Sequence, residues 1–272
     1  MALIFPAFAA FFGLIIGSFL NVVIHRGPAM WRLVDDDSRR GNLAFPRSYC
    51  PTCHAPIARA HLFPIAGYFA LGGKCAFCGA KIPIRYPVVE LLGGAAALGA
   101  YLLFGFTVAA VFTAIFFWIL IALAAIDFET GFLPDALTLP LIVLGIIASA
   151  AGFIAPLSDA LIGAVAGFLI FRIVGMIFHR LRGIEGLGQG DAKLLAAIGA
   201  WLGWQAIAPT VLAAALIGLG GALSMRLAGK EITGATPIPF GPALAISSAL
   251  IVILAGILPE DSLIVSLRPI FP

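Results

Sequence analysis

The sequence predicts an all-α polytopic membrane protein of about eight transmembrane helices with a small cytoplasmic four-cysteine insert of the zinc-binding type. Three observations predict it. Composition is the first: 62% of residues are hydrophobic and 11% charged, with a mean hydropathy of +1.11. A soluble domain carries about 25% charged residues, so this chain cannot cover a globular surface with polar side chains and must use lipid as solvent. The second is length: 272 residues accommodate roughly eight spans of ~20 residues plus one modest polar insert. The third is that all four cysteines fall between residues 50 and 78, in two C-x-x-C pairs inside the one long polar segment.

The elements follow in chain order. The first apolar run, Leu3–Ile24, lacks a basic leading region and a small-residue cleavage site, so it reads as a retained span. Residues 25–87 are polar and proline-rich, include the acids Asp35 to Asp37, and form an insert. Apolar runs follow at 88–105, 107–126, 136–153, 160–178, a short one at 192–202, then 206–225 and 243–258. The stretch 128–135 holds the helix breakers Gly131 and Pro134. Three parts result: 1–24, a first transmembrane helix; 25–87, the Cys-rich insert; and 88–272, the main membrane domain.

Orientation follows from the basic residues. With both termini outside, the inner stretches are 25–87, 127–135, 179–191 and 226–242, and they hold nine, zero, two and two Lys/Arg. Arg172 and Lys193 flank inner span ends, and only Arg268 falls outside. The insert is therefore expected in the cytoplasm, where thiols stay reduced.

Two carboxylates stand at costly places. Asp127 ends the apolar run Val108–Ile126, and Asp191 opens the run Ala192–Leu202 after Gly186-Leu-Gly-Gln-Gly190. An ionisable residue at such a span is a functional-site hypothesis. Two spans separate the pair, so both return to the inner face. Two carboxylates sharing a site do not both ionise cheaply; one holds a proton while the other activates water, which is metal-free acid–base chemistry against an amide. Gly188 and Gly190 would let a substrate backbone approach. The plainer alternative is helix capping. It suits Asp191 as an N-cap and suits Asp127 poorly, because a helix C-terminus disfavours negative charge. Glu129, Asp135 and Glu185 lie on the same side, but Glu129 and Asp135 sit in the turn-forming segment and are expected to be solvated.

Cys50-Pro-Thr-Cys53 and Cys75-Ala-Phe-Cys78 form two knuckles. Four thiolates at this spacing fit a closed tetrahedral Zn²⁺ site, structural rather than catalytic. An insert of this size has little core, so a metal would supply folding energy. His54 and His61 are alternative ligands, expected instead at the surface. Asn21 is expected to hydrogen-bond between helices. Lys193 is expected to point away from Asp191, toward lipid phosphates.

Six ordered segments carry a resemblance: Gly17-Ser-Phe-Leu-Asn-Val-Val-Ile-His-Arg26, the Cys insert with Leu71-Gly-Gly-Lys-Cys75, Arg85-Tyr-Pro-Val-Val-Glu90, Ile126-Asp-Phe-Glu-Thr-Gly-Phe-Leu-Pro-Asp135, Gly186-Leu-Gly-Gln-Gly-Asp191 and Thr236-Pro-Ile-Pro-Phe-Gly-Pro242. Together they resemble the type IV prepilin peptidases, the leader peptidase/N-methyltransferase branch of the GxGD membrane aspartyl proteases, over nearly the whole chain. The chain departs modestly: the stretch between Arg26 and Cys50 is short, and Gly27 stands where a leucine is usual. The resemblance implies that Asp127 and Asp191 are catalytic and that 88–272 is the peptidase domain. It implies that the insert, with Gly73 and Lys74, is associated with methyl transfer from S-adenosylmethionine. Prepilins or pseudopilins would be cleaved after a glycine at the cytoplasmic face of the bacterial inner membrane, then N-methylated. The lipid bilayer is the other partner, and no nucleic-acid partner is expected. Glu90 is expected to pair with Arg85, with a part in methyl transfer as the alternative. Thr236–Pro242 and the 127–135 segment are expected to wall the cleft, since irregular backbone at membrane depth must be buried in protein or line water. Two other readings remain at this stage: an intramembrane protease with other substrates, and an ion-coupled transporter using the two aspartates as ligands.

Overall fold

The computed structural model describes residues 4–36, 41–183, 188–229 and 239–257. Among them the chain forms nine α-helices and no strand beyond isolated bridges. The helices are α1 (Ile4–Met30), α2 (Ala66–Ala70), α3 (Arg85–Phe104), α4 (Val108–Thr130), α5 (Asp135–Ala150), α6 (Leu157–Arg182), α7 (Gln189–Leu202), α8 (Ile207–Leu227) and α9 (Gly241–Ile257). All but the short α2 correspond to the eight expected spans. Among the described residues, five helical stretches are long and apolar enough to cross a membrane: 4–30, 85–104, 108–130, 157–181 and 204–227. The helices α5, α7 and α9 are shorter, at 16, 14 and 17 residues. Asp37, Glu185, Gly186, Leu187, Thr236 to Ile238 and Arg268 lie outside the described residues.

Two compact units divide the chain at residues 122 and 123. In the first, α1 packs along α3. The contact is made by glycines: a Cβ added at Gly17 would sit 2.7 Å from the Glu90 Cα, and one at Gly93 would sit 2.7 Å from the Gly17 Cα. With no hydrophobic drive between helices in lipid, such close backbone approach supplies the packing energy. The indole of Trp118 on α4 donates to the Gly93 carbonyl at 2.9 Å. Asn21 donates to the Tyr86 carbonyl at 3.0 Å, which is the interhelical bond expected of it.

The first helix runs six residues beyond its expected end. The reason lies in Arg26, which is 5% exposed. Its guanidinium donates to the Asn42 carbonyl at 2.9 Å and lies over the Tyr49 ring, 5.6 Å from the centroid. The polar residues after Ile24 thus hold the insert against the helix instead of leaving it.

In the second unit α7 is the central helix, with α5, α6, α8 and α9 packed on it. Ala192 and Leu194 to Leu202 are all buried. A helix of 14 residues rises only ~21 Å, short of the ~30 Å hydrocarbon core. A helix apolar on all sides is stable here because protein sheathes it. Small residues again set the spacing: α6 and α7 meet at Gly163, Gly167 and Gly199. On the other side Trp201 donates to the Leu141 carbonyl at 2.7 Å and lies over Gly145.

A side chain at Gly199 would run into the Gly163 carbonyl. Gly199→Val is therefore expected to lower the melting temperature of the detergent-solubilised protein, at a cost of about 1–3 kcal/mol. Gly99→Ala meets nothing within 4 Å and should leave the melting temperature unchanged or raised. Equal effects of the two would contradict this packing.

Candidate active site

Asp127 lies on the last turns of α4, just before Gly131, whose φ of 71° ends the helix. Its side chain is 5% exposed. It takes a hydrogen bond from the backbone N–H of Gly241 at 2.9 Å. Gly241 is the first residue of α9, so the positive end of that helix faces a carboxyl group that its own helix end would disfavour. The next residue, Pro242, has no N–H to leave unmatched. A Cβ at Gly241 would lie 2.7 Å from the Asp127 Oδ2, so only glycine permits the contact.

Asp191 sits in the first turn of α7, not at the N-cap expected for a simple capping role. The helix begins two residues earlier, Gly188 is the N-cap, and the Asp191 carboxyl accepts the Gly188 N–H. This is the reciprocal half of a capping box. Asp127 and Asp191 feel each other's charge. Leu133 lies between their supports: a Cβ at Gly190 would be 2.8 Å from the Leu133 Cβ, and one at Gly241 would be 3.1 Å from its Cδ2. The starts of α7 and α9 therefore close on the same side chain of the 131–134 turn.

The competing carboxylates behave differently. Glu129 and Asp135 are exposed, and Glu185 lies outside the described residues. Lys193 does not reach out to lipid phosphates; it forms an ion pair with Asp135 at 2.5 Å, so Asp135 is paired as well as solvated. Two residues, about half a turn of α7, separate Lys193 from Asp191 and bring it to the start of α5.

In the insert the four sulfurs gather within 4.8 Å of one another. The Cys50–Cys78 separation is 3.8 Å and the Cys53–Cys75 separation 3.9 Å. A tetrahedral metal with ~2.3 Å bonds to sulfur has edges of ~3.8 Å, so this donor set fits a metal ion, with no place left for His54 or His61. Backbone N–H groups of Cys78 and Phe77 hold the Cys75 thiol below its ordinary value. Burial pushes the Cys50 thiol up, but N–H groups of Cys53 and Thr52 outweigh it and bring it down to about 6. At Cys78 the Ala80 N–H pulls the thiol down, but burial and the neighbouring cysteines outweigh it and push it up to about 11; the thiolate is the form that binds metal.

The two knuckles are copies. Cys50-Pro-Thr-Cys-His-Ala-Pro-Ile57 and Cys75-Ala-Phe-Cys-Gly-Ala-Lys-Ile82 align, and their hydrogen bonds repeat. Cys50 and Cys75 donate to Ala55 and Ala80, His54 and Gly79 donate back to the cysteines, and Ile57 and Ile82 donate to Ser48 and Gly73. His54 and Gly79 both have positive φ, at 57° and 70°. Gly73 and Lys74 belong to the base of the second knuckle. Gly73 has φ 68° beside the Tyr68 ring, and Lys74 is exposed.

Glu90, expected to pair with Arg85, instead takes the Ile65 N–H at 2.7 Å and the Ser18 hydroxyl. The Arg85 guanidinium lies over the Tyr86 ring, 4.8 Å from the centroid. Sequence reasoning also missed Leu133 and the Gly241 N–H as parts of the aspartate site. The Phe-Gly-Pro order was visible, but its partner is 114 residues away.

Membrane-length helices, a gathered four-cysteine cluster and a buried carboxyl near a second one point to a class of multi-pass membrane enzymes. The chain belongs to the type IV leader peptidase family. That family matches residues 114–223, and the bacterial peptidase A24 N-terminal domain matches residues 11–104. Similar relatives include the prepilin leader peptidase/N-methyltransferases of Burkholderia pseudomallei (strain 1026b), at 45% identity over 89% of this chain and 83% of the relative, and of Pseudomonas aeruginosa, at 44% over 86% and 85%. That of Neisseria gonorrhoeae is 42% identical over 89% and 88%. No solved structure matches the chain. Family membership sets the transporter reading aside: the protein is an enzyme, a peptidase of a family whose members also carry a methyltransferase.

The knuckle repeat makes a prediction. Nothing lies within 4 Å of a Cβ at Gly79, so only backbone strain opposes a side chain there. Gly79→Val should destabilise the insert by about 1–2 kcal/mol, read as faster metal loss to a chelator. An unchanged rate would mean that the left-handed residue is not required.

Proposed function

We propose that this protein removes the basic leader of type IV prepilins or pseudopilins at the cytoplasmic face of the bacterial inner membrane, and then methylates the new N-terminal amine with S-adenosylmethionine. The observation that supports the reading is that Gly241, which holds buried Asp127, and Gly190, next to Asp191, both close on Leu133. The relatives' names support the substrate and the second activity. The Lys/Arg count supports the orientation. A basic leader would remain in the cytoplasm while the hydrophobic helix behind it lies in the bilayer, which brings the scissile bond to the interface.

In the peptidase step one ionised aspartate takes a proton from water. The water oxygen attacks the scissile carbonyl, and the protonated aspartate gives its proton toward the departing amine. Gly188 leaves room for substrate backbone beside the Asp191 carboxyl, while Gly190 allows the close contact with Leu133. The Gly241 N–H fixes the Asp127 carboxyl, and Pro239 to Pro242 with the 131–134 turn form the walls. In the insert, Cys50, Cys53, Cys75 and Cys78 would hold Zn²⁺. Four thiolates fill its shell, so the metal supplies folding energy and not catalysis.

The direct test is to incubate purified protein with a prepilin carrying a Gly–Phe junction and follow the substrate mass. Wild type should remove the leader and, with S-adenosylmethionine, add a methyl group. Asp127→Asn and Asp191→Asn should each lose about 10²–10⁴-fold in cleavage while still binding substrate. Cleavage by either variant at the wild-type rate would exclude the pair. Gly241→Ala should lower cleavage, since the added Cβ would meet both the Asp127 carboxyl and Leu133; unaltered turnover would remove Gly241 from the site. Elemental analysis should find one zinc per chain, lost in Cys53→Ser together with thermal stability; zinc retention in that variant would contradict a four-thiolate site.

A further inference from the structure

We propose that Glu90, with Ser18 and Asn21, forms a binding site for a primary ammonium group in the seam between α1 and α3, and that its ligand is the N-terminal amine awaiting methylation. The inference rests on the methyltransferase reading above and goes beyond it by naming the amine's contacts.

Glu90 is 9% exposed and Asn21 is 3% exposed. Among the described residues no cation pairs with Glu90, whose partners are the Ile65 N–H at 2.7 Å and the Ser18 hydroxyl. A carboxylate has about four acceptor positions, so two remain. Asn21 uses its amide N–H on the Tyr86 carbonyl and leaves its Oδ1 buried with no partner. Ser18 and Asn21 are one turn apart on α1; Tyr86 and Glu90 are one turn apart on α3. The helices touch here backbone to backbone, at Gly17 and Glu90. The seam thus collects unused acceptors and a carboxylate without a counterion, which are costly in isolation. An ammonium group offers three donors and one positive charge.

The loop covering Glu90 is held under strain. Ile65, whose N–H reaches the carboxylate, has φ 62° and ψ −51°. A β-branched residue avoids that conformation, and strain of this kind collects at functional sites.

The chemistry balances. The ammonium group binds as a cation and gives one proton to the Glu90 carboxylate. The amine nitrogen then bonds to the methyl carbon as the methyl–sulfur bond breaks, with its electron pair returning to sulfur. The product keeps its charge as a methylated ammonium, and Glu90 gives its proton to water, so one proton is released for each methyl group transferred.

The test uses the full-length protein in detergent and two peptides of the mature prepilin N-terminus, one with a free amine and one N-acetylated. Without S-adenosylmethionine, wild type should bind the free amine about 10- to 100-fold more tightly, the value of hydrogen bonds to a charged group. Glu90→Gln and Asn21→Leu should lose that preference. Methylation by Glu90→Gln should fall by a similar factor while leader removal continues at the wild-type rate. Equal binding of the two peptides to wild type, or undiminished methylation by Glu90→Gln, overturns the proposal. A purely structural tie would lower thermal stability and both activities together without distinguishing an amine from an amide, and that pattern also overturns it. Absence of any methylation by wild type would sink the methyltransferase reading itself, while the binding comparison still decides the ammonium site.

Discussion

The hydrogen bond from the Gly241 N–H to the Asp127 carboxyl is the contact on which the second unit depends. A carboxyl group buried at the end of an apolar helix is a liability. Here the first residue of another helix meets it, directs a backbone donor at it, and has no side chain to obstruct it. The same contact fixes where α9 begins and which way Asp127 faces. Leu133 extends the constraint to Gly190 and so to the first turn of α7.

Glycine and alanine do elsewhere what they do at that contact. Backbones touch between α1 and α3 and between α6 and α7, because lipid gives helices no hydrophobic reason to associate and close packing must supply it. The result is a central helix, α7, that carries Asp191 at its first turn while Ala192 and every residue from Leu194 to Leu202 are buried. A catalytic group is best held on a well-packed element, and the enclosure of α7 is in keeping with the role proposed for Asp191.

Much of this was legible in the sequence. Burial now separates Asp127 from Glu129 and Asp135 as its position against the apolar run suggested. The cysteine spacing was enough to foresee the cluster. The glycine pairs at four-residue spacing, Gly13 with Gly17 and Gly163 with Gly167, and the duplicated knuckle are present in the sequence but become meaningful only when a partner surface is known. Other features were not readable. The Gly241 contact joins backbone to side chain across 114 residues, which no local pattern encodes. Lys193 and Asp135 find each other only after α5 and α7 pack. The end of α1 depends on carbonyls from the insert that draw Arg26 inward. Periodicity identifies elements, but such tertiary partners decide where polar residues go.

The central claim is that Asp127 and Asp191 act as one unit. The most direct measurement is the single-turnover rate of leader cleavage for Asp127→Asn, Asp191→Asn and the double variant, each compared with substrate alone. Groups that act together lose their effect together, so the double variant should be no slower than the slower single variant. Losses that multiply, or a single variant that keeps the wild-type rate, would show that the two carboxylates do not share a reaction.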